Sequence, residues 1–130
     1  MENRAKGHIL VIEDDRNSRL LIVDFLSAHG WRITEAEDGL TALSLARQEK
    51  FDIIVLDLRL PGQNGLVVAR QLRQTEETAQ VPIIVTSAFV DKANKMKAYQ
   101  AGANFFLGKP VDLQELLLIV QNAHGARRES

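Results

Sequence analysis

Phe51-Asp52-Ile53-Ile54-Val55-Leu56-Asp57-Leu58-Arg59-Leu60-Pro61-Gly62-Gln63-Asn64-Gly65 carries an apolar run into a lone carboxylate and then into two turn signals. The run, Ile53 to Leu56, is short and is bounded by Pro61-Gly62 and Asn64-Gly65, strong chain-reversal pairs. Such a run reads as a parallel strand buried on both faces. Asp57 then stands at the strand's C-terminal tip, where open α/β sheets place their ligands. Taken alone, an acid there does no more than start a turn; the other strand ends change that reading.

Upstream, His8 to Ile12 is a second β-rich run that breaks into Glu13-Asp14-Asp15. A helix is expected from about Arg16 to His29, with Asp14 or Asp15 able to cap it and Gly30 placed to end it. Trp31 to Glu35 alternates apolar and polar residues, as a half-exposed edge strand does. Asp38-Gly39 leads into a helix whose Leu40, Leu43 and Ala46 fall at helical spacing. Downstream of Asp57, a helix is expected over about Gly65 to Gln74, then a polar linker from Thr75 to Gln80. Pro82 precedes a strand from Ile83 to Ser87. A helix from about Asp91, its cap, to Ala101 ends at Gly102. A last strand, Asn104 to Leu107, runs into Gly108-Lys109-Pro110. The final helix opens on Asp112-Leu113-Gln114-Glu115, similar to a capping box, and its Leu113, Leu116, Leu117 and Val120 form a sheet-packing stripe.

Five strands alternating with five helices predict a doubly wound parallel sheet. The edge character of the second strand suits the order 2-1-3-4-5, with a switch point between strands one and three. Four strand ends then deliver polar groups to one rim: Glu13 and Asp14, Asp57, Ser87 and Lys109. The second strand delivers nothing comparable.

The 130 residues fit a single domain, with a core from about 8 to 124 and short polar ends at Met1–Gly7 and Gly125–Ser130. Apolar residues make up 45% and charged residues 25%, the balance of an ordinary globule. A net charge of −1 gives no electrostatic reason to expect nucleic acid or an anionic membrane as partner. The chain has no cysteine, which excludes disulfides and thiolate metal sites. No apolar run reaches membrane-spanning length and no signal-peptide core is present, so a cytoplasmic location is expected.

The rim has too much negative charge to stand alone. Two carboxylates about 4 Å apart repel by roughly 4 kcal/mol at an effective dielectric near 20, about three pKa units. Lys109 offsets one charge. A hard divalent cation would offset the rest, and an all-oxygen set of few carboxylates favours Mg²⁺. No histidine lies at a strand tip, which argues against zinc. With such an ion, Asp57 can act as a nucleophile toward a phosphoryl group. Lys109, the Ser87 hydroxyl and backbone N–H groups after the third strand would meet the phosphoryl oxygens.

These residues resemble the receiver domain of two-component response regulators over essentially the whole chain. The resemblance is carried by Ile9-Leu10-Val11-Ile12-Glu13-Asp14, by Asp57 with Leu60-Pro61-Gly62 and Gly65, by Pro82 through Ala88, and by Ala101-Gly102-Ala103 through Lys109-Pro110. It implies a flavodoxin-like fold and a place in a phosphorelay, with Asp57 as phosphoacceptor. It further implies Glu13 and Asp14 as Mg²⁺ acids, Asp14 ligating directly, and the Arg59 backbone carbonyl as a third protein ligand. Lys109 would pair with the phosphoryl group after a cis Lys109–Pro110 bond, Ser87 would be the switch hydroxyl and Phe106 the switch aromatic. The donor would be a sensor histidine kinase or a histidine phosphotransfer protein. The downstream partner would read helix four, strand five and helix five. No dedicated substrate turnover is expected; the domain would promote its own phosphorylation and slow autodephosphorylation. Glu13 stands where Asp is commoner, Ser87 where Thr is, and Phe106 where Tyr is, so a switch needing a phenolic hydrogen bond is not available.

The same residues admit other readings. Asp15 is expected to cap a helix or face solvent. Thr86 rivals Ser87, and spacing from Pro82 favours Ser87. The Arg59 side chain and Phe89 either flank the phosphoryl group or stand in solvent. His8, His29 and His124 read as surface or strand-start residues, and Lys92, Lys95 and Lys97 as the solvated face of helix four. A phosphatase of the haloacid-dehalogenase type would place a second Asp two residues after the nucleophile, where Arg59 stands. A phosphorylation-independent binding module would not need the intact acid–lysine set. A flavin site would need a phosphate-cradling loop where the acids Glu13 and Asp14 stand.

Overall fold

The structure, a computed structural model, describes residues 6–60 and 62–129. Pro61, one half of the expected Pro61-Gly62 turn, lies outside the described residues, as does most of the polar N-terminal end.

The main sheet has five parallel strands, numbered here in chain order: β1 (His8–Ile12), β2 (Arg32–Ala36), β3 (Ile53–Asp57), β4 (Ile83–Ser87) and β5 (Phe105–Gly108). Their spatial order is β2-β1-β3-β4-β5, as expected. The helices are α1 (Arg16–Ala28), α2 (Gly39–Gln48), α3 (Gly65–Gln74), α4 (Lys92–Gln100) and α5 (Leu113–Glu129). Each begins where a short polar side chain accepts an otherwise unpaired N–H. Asp15 accepts from Ser18 N, Asp38 from Thr41 N, Asn64 from Leu66 N, Asp91 from Asn94 N, and Asp112 from Gln114 N and Glu115 N.

Side-chain alternation along the central strands divides the core in two. Leu10, Ile12, Ile54, Leu56, Ile83 and Val85 face α2, α3 and α4. Ile9, Val11, Ile53, Val55, Ile84 and Leu107 face α1 and α5. Residues of β1, β3 and β4 are buried throughout, which is why their sequences run apolar without alternating. Burial of one such isoleucine is worth about 1.5–3 kcal/mol.

Several boundaries differ from those expected. Strand β2 starts at Arg32, because Trp31 N still donates to Leu26 O of α1 while its side chain is buried in the core. Strand β5 starts at Phe105, while the Asn104 side chain accepts from Ile83 N. On α2 the buried face is Gly39, Ala42, Leu43 and Ala46. Leu40, one residue and about 100° of helical rotation beyond Gly39, is 75% exposed. The segment expected as a polar linker contains a 3₁₀ turn, Glu76–Thr78, whose Thr78 is buried with its hydroxyl donating to Leu72 O. Helix α5 continues past His124 to Glu129.

The connection after β3 forms a small antiparallel hairpin that was not expected, pairing Arg59 with Asn64 and Leu60 with Gln63. Gly65 closes it: a Cβ there would stand 2.5 Å from Leu58 Cα, so no larger residue fits without moving the backbone just behind Asp57.

Candidate functional site

Asp57 is the last residue of β3, and Glu13 follows directly on β1, so the two acids flank the switch point of the sheet. Lys109 follows directly on β5 and reaches back across the rim. Its ammonium donates to Glu13 Oε1 at 2.8 Å and to Asp57 Oδ2 at 2.9 Å. The side chains of Glu13 and Asp57 are 3% and 4% exposed, so water relieves little of their repulsion. The second Asp57 oxygen accepts from Arg59 N at 3.1 Å. Glu13 Oε2 accepts from Asp15 N at 3.2 Å. The Lys109–Pro110 peptide bond is cis.

Burial, together with the neighbouring Asp57 carboxyl, pushes the Glu13 carboxyl up to about 7; Lys109 pulls the other way without cancelling it. For Lys109, burial favours the neutral amine, but its hydrogen bonds to Glu13 and Asp57 outweigh this and hold its pKa above the usual lysine value. The site is thus short of positive charge.

Oxygen atoms of Glu13, Asp14 and Asp57 lie within 4.8 Å of one another. Two oxygens on opposite sides of a Mg²⁺ ion stand roughly 4.2 Å apart. Slight contraction, or a water carrying one acid's contact, would seat such an ion. Hard oxygen donors without sulfur or imidazole suit Mg²⁺ better than zinc.

The remaining expected residues are less tightly gathered. Ser87 ends β4 at the same rim, but its hydroxyl is turned to the next loop, accepting from Phe89 N at 3.0 Å and donating to Phe89 O at 3.3 Å. Thr86 is the buried register partner of Asp57, one residue deeper in the strand. Phe106 is half-buried on β5, with the Lys95 ammonium of α4 5.9 Å from its ring centre. The Arg59 side chain is exposed and stacks on Phe89, its guanidinium carbon 5.1 Å from the ring centre. Asp15 caps α1, as its plainer reading held. His8 begins β1 but is buried, its ring bridging Lys50 O and Thr34 Oγ1. His29 caps the end of α1, and the His124 ring stands edge-on to Trp31.

Residues 9–121 match the response regulator receiver domain family. The chain belongs to that family. Among receiver-containing relatives, it is 35% identical over 111 residues to protein PilH of Pseudomonas aeruginosa, covering 85% of this chain and 92% of that one. It is 33% identical to the transcriptional regulatory protein ResD of Bacillus subtilis over 93% of this chain, but spans only 49% of that protein. The receiver domain of a Pseudomonas aeruginosa sensor histidine kinase, solved with magnesium coordinated in its active-site cleft, superposes with a TM-score of 0.86 at 34% identity, covering 93% of this chain and 99% of that one. The chemotaxis response regulator CheY4 of Vibrio cholerae gives a TM-score of 0.87 at 25% identity, covering 92% and 99%. None of the described helices of this receiver domain is long and apolar enough to cross a membrane.

Two arginines escaped sequence reasoning, one beside the site and one at the opposite end of the sheet. Arg19 lies on the buried stripe of α1 with Ile22 and Leu26, a cation at a position that spacing alone assigns to an apolar side chain. It bonds the carbonyls of Glu13 and Asp14 and pairs with Glu35 and Glu37. Through it Glu35 of the edge strand β2 braces the acid loop without joining the acid–lysine set. Arg73 of α3, further away, gathers the carbonyls of Thr78, Ala79, Val81 and Gly102 and the side chain of Asn104.

Proposed function

We propose that this receiver domain accepts a phosphoryl group on Asp57 from a phosphohistidine of a sensor kinase or phosphotransfer protein. The observation that carries the reading is the single ammonium of Lys109, bonded at 2.8 and 2.9 Å to two nearly buried carboxylates beside a third. With every group ionised that set carries two more negative charges than positive, an excess that a divalent cation would balance.

In the proposed transfer, an Asp57 carboxylate oxygen attacks phosphorus in line with the leaving imidazole. An O–P bond forms, the N–P bond breaks and its electron pair returns to the imidazole nitrogen. Lys109 moves its donation from the Asp57 oxygen toward the phosphoryl oxygens, where charge is now concentrated. Glu13, Asp14, Asp57 and the Arg59 carbonyl would hold Mg²⁺, which supplies charge neutralisation when bound. Ser87 would leave Phe89 to donate to a phosphoryl oxygen. Attack of water at phosphorus would then regenerate the Asp57 carboxylate slowly and release phosphate. The resulting surface change would be read at α4, β5 and α5.

Intact-mass measurement after incubation with a small phosphodonor and Mg²⁺ tests this. Gain of one phosphoryl mass that is acid-stable, base-labile and lost in Asp57→Asn is the expected result. Equal uptake by a folded Asp57→Asn protein would place the chemistry elsewhere.

A further inference from the structure

We propose that Arg19 is a positioning residue for the acid pair, fixing the backbone of Glu13 and Asp14 so that their carboxylates meet a cation beside Asp57. The proposal rests on the metal-dependent reading above and assigns a residue that touches neither metal nor phosphoryl group.

The Asp14 carboxylate is exposed, and among the described residues no hydrogen bond or ion pair holds it. Its placement therefore falls to the backbone that carries it. Both carbonyls of that backbone are held by one guanidinium: Arg19 Nη1 donates to Glu13 O at 2.9 Å and to Asp14 O at 3.4 Å. Two successive carbonyls drawn to one nitrogen fix the two peptide groups on either side of Asp14, and so the direction in which its side chain leaves. The guanidinium is in turn held by Glu35 at 2.9 Å on Nε and by Glu37 at 3.3 Å on Nη2.

The Arg19 side chain is only 8% exposed, so its planar fork is kept in one orientation by packing as well as by charge. Glu13 N donates to Ala36 O, and Asp15 caps α1, so the acid loop is gripped from β2 on one side and from α1 on the other. Donation into the two carbonyls of the acid pair is what ties it to the site, because groups that orient metal ligands commonly govern affinity as strongly as 10–100-fold.

Calorimetric titration with Mg²⁺ of the wild-type chain, Arg19→Gln, Arg19→Lys and Glu35→Gln tests the assignment. Arg19→Gln should raise the Mg²⁺ Kd about 10-fold or more. Its phosphoryl uptake from a small phosphodonor should fall at low Mg²⁺ and recover at saturating Mg²⁺. Arg19→Lys keeps the charge but cannot span both carbonyls and Glu35, so it should fall between. Glu35→Gln should move affinity the same way by less.

A folded Arg19→Gln with wild-type Kd overturns the proposal, whatever its melting temperature. Should Arg19→Gln not fold, wild-type affinity in both Arg19→Lys and Glu35→Gln overturns it equally. Wild-type protein that binds no Mg²⁺ sinks the metal-dependent function and this proposal together. Wild-type binding with unchanged variants sinks this proposal alone.

Discussion

A buried glutamate that bonds a lysine would ordinarily favour its charged form, yet Glu13 is pushed up to about 7 because burial and Asp57 outweigh Lys109. A carboxyl with a folded pKa above its unfolded value holds its proton more tightly when folded, so stability is highest below the unfolded value and falls as pH rises. For Glu13 the window runs from 4.5 to about 7, and the gap corresponds to roughly 3 kcal/mol. The capping carboxyls Asp15, Asp38 and Asp91 are shifted down by their N–H donors, so what they contribute is lost only in acid below that window. Lys109, shifted up, titrates above it. Denaturant unfolding in chelator should therefore show stability falling between pH 4.5 and 7, and Glu13→Gln should flatten the slope. An equally steep slope in Glu13→Gln would assign the titration elsewhere. Asp14 and Asp15 are adjacent but do different work. Asp14→Ala should weaken Mg²⁺ binding, whereas Asp15→Ala should lower stability through its lost cap with a smaller change in Mg²⁺ affinity. Equal losses of affinity would mean that the acid register is misassigned.

At the scale of elements, the strand tips bring the site together and α3 holds the loops behind them in place. Arg73 leaves α3 to bond carbonyls at the end of the 3₁₀ segment and in the α4–β5 connection, so one side chain joins the entries to β4 and β5. A Cβ on Gly102 would stand 2.5 Å from Arg73 Cγ, and this residue's positive φ of 115° independently calls for glycine. Arg73→Met keeps much of the stem but orphans several carbonyls, and a loss of about 3 kcal/mol is expected in equilibrium unfolding. A loss under about 0.5 kcal/mol, typical of surface substitutions, would mean that water replaces those bonds freely. Nothing in the local sequence pointed to this clamp. Arg73 falls in the last turn of a helix, where a basic residue is unremarkable.

For the whole molecule, the proposed switch is an equilibrium between two arrangements of the loop after β4. The Ser87 hydroxyl accepts from Phe89 N and donates to Phe89 O, and its single proton must leave Phe89 O if it is to donate to a phosphoryl oxygen. Phe106, without a hydroxyl, has only packing and the Lys95 cation to bias its ring. A ligand shifts such an equilibrium only by its differential affinity for the two states, so a partial shift is expected. NMR with a fluoroberyllate mimic and Mg²⁺ should move resonances of Ser87, Phe89, Phe106 and the exposed face of α4. Changes confined to the Asp57 rim, or an undiminished response in Ser87→Ala, would defeat this route. Mg²⁺ at 100 times its Kd should by itself stabilise the fold by about 2.7 kcal/mol.

The architecture was legible because its signals are local. Uninterrupted apolar runs at Ile9–Ile12, Ile53–Leu56 and Ile83–Val85 cannot be half-exposed, and Asp or Asn before each helix marks its start. Glu13, Asp14, Asp57 and Lys109 could be nominated together because each stands at or just after a strand end, and parallel strands in one layer send those ends to one rim. What the chain could not declare locally was which polar groups would meet. Lys109 reaches Glu13 across 96 positions, and the Ser87 hydroxyl turns to the Phe89 backbone. Arg19 takes a position on α1 that periodicity gives to an apolar side chain, and only packing shows that its guanidinium meets the acid loop. Hydrophobic periodicity fixes which face of an element is buried. The direction in which a long charged side chain turns once it arrives depends on carbonyls and carboxylates supplied by other elements, and only the tertiary structure brings those together.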